Sequence, residues 1–130
     1  MTAKAVLAAV TNRRVVAIDL ARFGLDANTY HVRSLTERER SSYEAQFVQT
    51  DGKTINRSRL IEAKARLVVL CLVTGKTQSP VFTEDDLPAL MDADSDFIDT
   101  VYEVARKHCG FKRGDVEKLA GNSEETTDDA

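Results

Sequence analysis

The sequence is poor in the residues that mark several specialised protein classes. Its 130 residues include no Trp, two Pro, two Cys and six Gly, and 6 % are aromatic. The low Pro and Gly content excludes collagen-like and low-complexity chains. The two cysteines, Cys71 and Cys109, lie far apart and belong to no CxxC pair, which excludes a disulfide-rich scaffold. We therefore expect a small globular domain with buried, reduced thiols.

Long hydrophobic runs are also absent. The longest apolar run extends from Leu67 to Val73, whereas a membrane-spanning helix needs about 20 residues. The N-terminus has a short apolar stretch at residues 5–10, but Asn12-Arg13-Arg14 follows where a signal peptide would have its cleavage site. These features predict a soluble intracellular protein with no membrane partner.

Neither sign of charge dominates the chain. Eighteen Lys and Arg residues face 21 Asp and Glu residues, and the formal net charge is −3. The basic residues alternate with acids, as on a solvated surface, so we expect no nucleic-acid partner. Acids are concentrated in the last ten residues, which have no apolar residue before Ala130. The sequence therefore predicts one globular domain over residues 1–120 and a disordered acidic tail over residues 121–130.

The first third of the chain predicts a short helix and two strands. Residues 2–10 are rich in Ala, Val and Leu but too few to form a stable helix without packing. The stretches 14–20 and 30–33 contain β-branched residues with alternating polarity. A long loop with turn-forming residues joins them, so we expect an antiparallel ribbon.

A helix start is clear at Thr36, where the Thr hydroxyl and the Glu39 carboxylate can form a capping box. This helix should extend to about Gln49 and stop at Asp51-Gly52. Ser58 can cap the next helix, which we expect to span residues 59–73, to carry the core and to end at Gly75.

The apolar run within that second helix could also form a buried strand. No helix breaker separates it from the helix-forming residues 62–66, and this continuity favours a helix. A polar loop should follow from Gly75 to Phe82. Acids at residues 84–86, after Thr83, then predict a short helix. Ser95 can cap a longer one that closes at Cys109-Gly110. Residues 115–120 predict one or two further turns. The expected fold class is α+β, mostly helical, with a small antiparallel β-ribbon near the N-terminus packed against about four helices.

Two short motifs suggest ligand binding without meeting its requirements. Gly75-Lys76-Thr77 matches the end of a phosphate-binding loop, but Leu70 stands where the motif needs its first Gly. Asp92, Asp94, Asp96 and Glu103 have the spacing of a calcium loop, but Phe97 stands where its sharp turn needs Gly. We expect the first motif to end a helix and the acids to start one, with no cofactor. His31 and His108 have no nucleophile or acid at a catalytic spacing.

The order of these elements resembles that of the tail assembly chaperones of long-tailed bacteriophages. The resemblance covers roughly residues 14–123. It is carried by the strand Tyr30-His31-Val32-Arg33 that leads into Thr36-Glu37-Arg38-Glu39, the amphipathic stretch 43–47, the buried helix 66–73, the run Val81-Phe82-Thr83-Glu84-Asp85-Asp86-Leu87-Pro88-Ala89-Leu90, and the closing Leu119-Ala120-Gly121-Asn122-Ser123. One departure is Gly121, which stands where that family often has Lys.

The resemblance implies a non-enzymatic protein that binds the helix-rich tape measure protein during tail assembly. It also implies recruitment of tail tube subunits through a longer, frameshifted form, and self-association. Such proteins act in the cytoplasm of the infected host and are absent from the mature virion. The alternative is a small regulatory or adaptor domain that acts through protein–protein contacts.

A partner helix would be held by apolar side chains that short helices leave uncovered. Two stretches fit this description, and their residues are Tyr43, Phe47, Phe82, Leu87, Leu90 and Met91. Apolar residues at helical spacing are usually core. The same six side chains could therefore all pack on the central helix, and we keep both interpretations.

Overall fold

The computed structural model describes residues 2–47, 61–75 and 77–111. Within these ranges the chain forms an α+β fold, mostly helical, with a four-stranded antiparallel sheet and five α-helices. The predicted fold class is therefore confirmed. The predicted turn at Asp51-Gly52, the cap at Ser58, the turn at residues 115–120 and the acidic tail all lie outside the described residues.

The described residues form helices, 3-10 turns and strands. The helices are α1 (Ala3–Thr11), α2 (Glu37–Ala45), α3 (Ala63–Cys71), α4 (Leu87–Met91) and α5 (Ser95–His108), and two 3-10 turns cover Ala21–Phe23 and Glu84–Asp86. The strands are β1 (Val15–Ala17), β2 (Tyr30–Arg33), β3 (Leu72–Thr74) and β4 (Ser79–Pro80).

The sheet has the strand order β1-β2-β3-β4, and every neighbouring pair is antiparallel. Val32 lies at its centre, paired with Val16 on one side and with Leu72 on the other. The predicted antiparallel pairing of the first two strands is thus confirmed. β1 forms one edge of the sheet, and its residues are exposed.

The prediction of one continuous helix over residues 59–73 is wrong at its C-terminal end. The helix stops at Cys71, and Leu72, with a ψ of 122°, already has extended backbone. The next residues pair with β2 on one side and β4 on the other, so the sheet satisfies the backbone groups that a helix would otherwise satisfy. β4 likewise lies within the stretch predicted as loop. Gly75, with a positive φ of 60°, ends β3 rather than a helix.

The predicted helix caps are confirmed at one site and shifted at another. The Thr36 hydroxyl accepts from the Glu39 N–H at 3.1 Å, and the Glu39 carboxylate accepts from the Thr36 N–H at 3.1 Å. At α5 the capping residue is Asp94 rather than Ser95, because the Asp94 carboxylate accepts from the Asp96 N–H at 2.9 Å. Gly110, with a φ of 80°, closes α5 as expected.

The core lies where α2, α3 and α5 pack on the inner face of the sheet. α3 supplies the largest share of it, as the sequence predicted, and α1 supplies no buried residue. Among the described residues, the largest fully buried side chains are Leu20, Val32, Tyr43, Phe47, Leu67, Val68, Cys71, Leu72, Val73 and Val101.

Candidate functional site

Most of the residues predicted to bind a partner lie in the core. Tyr43 and Phe47 are 1 % and 0 % exposed, and their rings pack edge to face with centroids 4.9 Å apart. Leu87 and Leu90 are each 5 % exposed. This burial argues against a binding surface at Tyr43 and Phe47 and favours the alternative that these side chains stabilise the fold. Of the six, Phe82 is half-buried and Met91 is 40 % exposed.

An apolar surface groove of about 180 Å³ nevertheless lies between the start of α3, the end of α4 and the start of α5. Its floor consists of the buried side chains Ala65, Leu90 and Ile98. Its walls are Ile61, which is 75 % exposed, and Met91. We call this feature the Ile61–Met91 groove. It retains two of the six predicted residues and adds Ile61.

Charged side chains border the Ile61–Met91 groove. The Lys64 ammonium lies 3.1 Å from the Asp99 carboxylate, and both side chains are about half exposed. The same ammonium lies 5.4 Å from the centre of the Tyr102 ring. An apolar floor with a charged rim is the arrangement that binds the apolar face of an amphipathic helix. The groove can therefore accept apolar side chains while the rim pairs with polar ones.

A second apolar surface involves the N-terminal segment. Three apolar residues of α1, Val6, Leu7 and Val10, are between 43 % and 68 % exposed. Val15 and Val16 on the edge strand β1 are also exposed. The sequence indicated that this helix was too short to be stable without packing. The sequence did not indicate that the other described residues leave the apolar side chains of α1 exposed.

Three of the four acids with calcium-loop spacing have separate partners. Asp94 caps α5, Asp96 lies 3.1 Å from the Arg22 guanidinium, and Glu103 lies 2.7 Å from the Arg106 guanidinium. The interpretation of these acids as the start of a helix is therefore confirmed for Asp94 and Asp96. Within the described ranges, no group of three or more His, Cys, Asp and Glu side chains is arranged to hold a metal ion.

Gly75, His31 and His108, which the sequence analysis singled out, lie in or next to the strands and helices of the fold. Gly75 leads from β3 towards β4 instead of opening a helix as a phosphate-binding loop requires, and Lys76 lies outside the described residues. A ring nitrogen of His108 lies 2.8 Å from the Arg14 carbonyl oxygen, and the Arg14 guanidinium donates to the His108 carbonyl at 3.2 Å. This reciprocal link joins the end of α5 to the residue before β1. His31 lies on β2 opposite Ala17 and Val73.

The two cysteines are free thiols, as predicted, but they are not separate. Cys71 is buried and Cys109 is half-buried, and their sulfur atoms lie 3.7 Å apart. Sequence reasoning missed this pair because the residues are 38 positions apart and lie at the ends of two different helices.

Comparison of the chain with protein-family models, curated protein sequences and solved structures gives no match. In the described ranges, no helix has the length and apolar character required to cross a membrane.

Proposed function

We propose that this protein is a tail assembly chaperone of a long-tailed bacteriophage, which binds the tape measure protein and assists assembly of the tail tube. It acts without catalysis or a cofactor, in the cytoplasm of the infected host, and is not part of the mature virion. The order of motifs along residues 14–123 supports the family. The Ile61–Met91 groove is the structural observation that carries the binding function.

The groove suits a helical partner for three reasons. Its floor is apolar and buried, so a bound side chain would be removed from water. One wall is Met91, whose flexible thioether adapts to side chains of different shape. The Lys64–Asp99 ion pair at the rim offers both charges to the polar face of a bound helix. A tape measure protein, which is long and rich in helices, presents many such faces.

The proposal includes two further partners. A longer, frameshifted form recruits tail tube subunits through the sequence added after the shift. Copies of the chain also associate with one another, and β1 is suited to this because it is an exposed edge of the sheet that the described residues form.

Co-purification with the tape measure protein encoded in the same genome tests the binding function. The wild-type chain should retain that protein in solution. Ile61→Asp and Met91→Asp place a charge on the groove walls and should abolish retention while leaving the circular dichroism melting curve unchanged, because both side chains are exposed. Val10→Asp is the matched control, since Val10 is equally apolar and 68 % exposed but lies on α1, outside the groove.

The outcomes of this experiment distinguish the location of the binding surface from the chaperone function itself. Loss of binding in Val10→Asp alone would move the binding surface to α1. A wild-type chain that does not retain the tape measure protein would overturn the chaperone function and leave the adaptor alternative. The genome gives an independent test, because a very long gene should follow immediately, with a slippery heptamer near the codons for Asn122 and Ser123.

A further inference from the structure

The two cysteine thiols are close enough for oxidation to join them in a disulfide. Cys71 is the last residue of α3 and Cys109 is the C-cap of α5, and their Sγ atoms are 3.7 Å apart. A disulfide has an S–S distance of about 2.05 Å. Small shifts at the ends of two packed helices are therefore sufficient to bring the sulfur atoms to bonding distance.

The two thiols have different access to solvent. Cys71 is 0 % exposed, whereas Cys109 is half-buried at the end of its helix. Cys109 is therefore the more accessible of the two residues to a small oxidant. Cys71 is shielded from solvent, and the Cys109 sulfur lies 3.7 Å from its own.

The surroundings also favour the thiolate form at Cys109. A hydrogen bond with the Cys71 thiol lowers the pKa of Cys109 to about 7, against the opposing effect of burial. The Leu35 backbone N–H and the nearby Arg40 and Arg14 guanidinium groups act in the same direction. The pKa of Cys71 is raised by the same hydrogen bond and by burial, so Cys71 keeps its proton. The thiolate is the nucleophilic form of cysteine.

We propose that Cys109 and Cys71 form a hydroperoxide-reactive dithiol site, in which Cys109 is oxidised first and Cys71 resolves it to an intramolecular disulfide. The Cys109 thiolate attacks the terminal peroxide oxygen, an S–O bond forms and the O–O bond breaks. The leaving alkoxide takes a proton to become the alcohol; with hydrogen peroxide the leaving group is hydroxide, which becomes water. The Cys71 sulfur then attacks the sulfenic sulfur. The S–S bond forms, the S–O bond breaks, and the departing hydroxide takes the Cys71 proton.

This reaction oxidises two thiols by two electrons and reduces one hydroperoxide to water and the corresponding alcohol or, for hydrogen peroxide, to two waters. Its product links the end of α3 to the end of α5. These two helices form the centre of the core, so the bond would constrain the unfolded chain and stabilise the native state. The proposal is independent of the tape measure hypothesis.

Peptide mapping of the full chain tests the site. Hydrogen peroxide is added at a few equivalents, remaining thiols are alkylated, and the protein is digested with trypsin without reduction. The oxidised wild type should yield residues 67–76 linked to residues 108–112, the tryptic peptides that hold the two cysteines. Dithiothreitol should restore both thiols. The melting temperature of the oxidised form should rise by about 5 to 10 °C, and reduction should reverse the shift.

Two variants assign the roles. Cys71→Ser should leave a sulfenic acid at Cys109 that dimedone traps, and Cys109→Ser should leave Cys71 unmodified by the same dose of peroxide. If either variant fails to fold, the wild-type linkage map still decides the proposal. Retention of both thiols, overoxidation of Cys109 without a link to Cys71, or a disulfide between two molecules would each overturn it.

Discussion

The Tyr43 hydroxyl donates a hydrogen bond of 2.8 Å to the Ala63 carbonyl oxygen. This buried contact joins α2 to the first residue of α3, on either side of residues 48–60, which lie outside the described ranges. The bond explains how a tyrosine can occupy a position that is 1 % exposed, since a buried hydroxyl needs a hydrogen-bond partner.

Removal of that hydroxyl should reduce stability by a predictable amount. Tyr43→Phe should lower the free energy of unfolding by about 1 kcal/mol, the usual contribution of a buried neutral hydrogen bond. Urea denaturation followed by circular dichroism measures the change. Tyr30→Phe, at a half-buried position on β2, is the control and should change stability by less than about 0.5 kcal/mol. Equal effects of the two changes would contradict the assigned role of the Tyr43 hydroxyl.

A charge at Phe47 should unfold the domain. Phe47 is 0 % exposed and packs edge to face against Tyr43, so Phe47→Asp would bury an unpaired carboxylate in the core. We expect loss of the cooperative thermal transition. Phe47→Leu, which keeps an apolar side chain, should remain folded with a lower melting temperature. A folded Phe47→Asp variant would show that this side chain is at a surface after all.

Deletion of residues 2–11 should leave the stability of the rest of the domain nearly unchanged. No residue of α1 is buried, so its removal exposes little apolar surface that folding covers. We expect a melting temperature within about 2 °C of the full-length value, since surface changes alter stability by less than about 0.5 kcal/mol. A loss of several degrees at micromolar concentration, absent from a more dilute sample, would indicate that α1 is covered by another copy of the chain.

The two carboxylates that pair with Arg66 should contribute unequally to stability. The guanidinium is buried, with Glu62 at 2.8 Å and Glu84 at 3.1 Å, but the Glu62 side chain is 31 % exposed and the Glu84 side chain is 76 % exposed. Glu62→Gln should cost about 1 kcal/mol of unfolding free energy and Glu84→Gln less than about 0.5 kcal/mol, because solvent screens exposed ion pairs. Chemical denaturation compares the two isosteric changes, and a larger cost for Glu84→Gln would refute this order.

Protonation of Glu39 should account for part of the loss of stability in mild acid. Burial raises the pKa of this carboxyl, but the hydrogen bond from the Thr36 N–H and the Arg13 guanidinium at 2.8 Å outweigh it and hold the pKa below its ordinary value. A group with a lowered folded pKa stabilises the protein above its unfolded pKa of about 4.3, and this contribution is lost as the pH falls through the folded value.

Glu39→Gln should therefore flatten the decrease in urea midpoint between about pH 5 and pH 3. The urea midpoint at several pH values in that interval is the measurement. Glu37→Gln removes a carboxylate from the same helical turn but leaves the Arg13 ion pair intact, and it serves as the control. An unchanged pH profile in Glu39→Gln would show that the capping carboxylate is not depressed in the folded state.

The sequence predicted the parts of the fold that form between residues close to one another along the chain. The capping box links Thr36 to a residue three positions later, and the β1–β2 ribbon follows from alternation on both sides of one loop. β3 was missed because the run from Leu67 to Val73 is apolar on all sides and its last residues become a strand only by pairing with β2. Its period cannot distinguish a buried helix from a buried strand.

The candidate sites depended on packing that sequence alone does not display. Ile61 and Leu90 have the same apolar character in the sequence, yet one is 75 % exposed and the other is 5 % exposed. Likewise, no spacing rule connects Cys71 to Cys109. Both the Ile61–Met91 groove and the thiol pair form only when α3, α4 and α5 are brought together, which explains why local patterns did not reveal them.

The direct passage from α3 into β3, with no residue between Cys71 and Leu72, has a mechanical consequence. A shift of one residue moves a strand by about 3.3 Å and turns its side chains to the opposite face. β3 is bonded to strands on both sides, so it cannot make such a shift alone. Pairing in the sheet therefore fixes the position of α3 along the helix axis. The helix can tilt or rotate slightly but cannot slide. Strand pairing thereby determines the position along α3 at which this helix contacts α5.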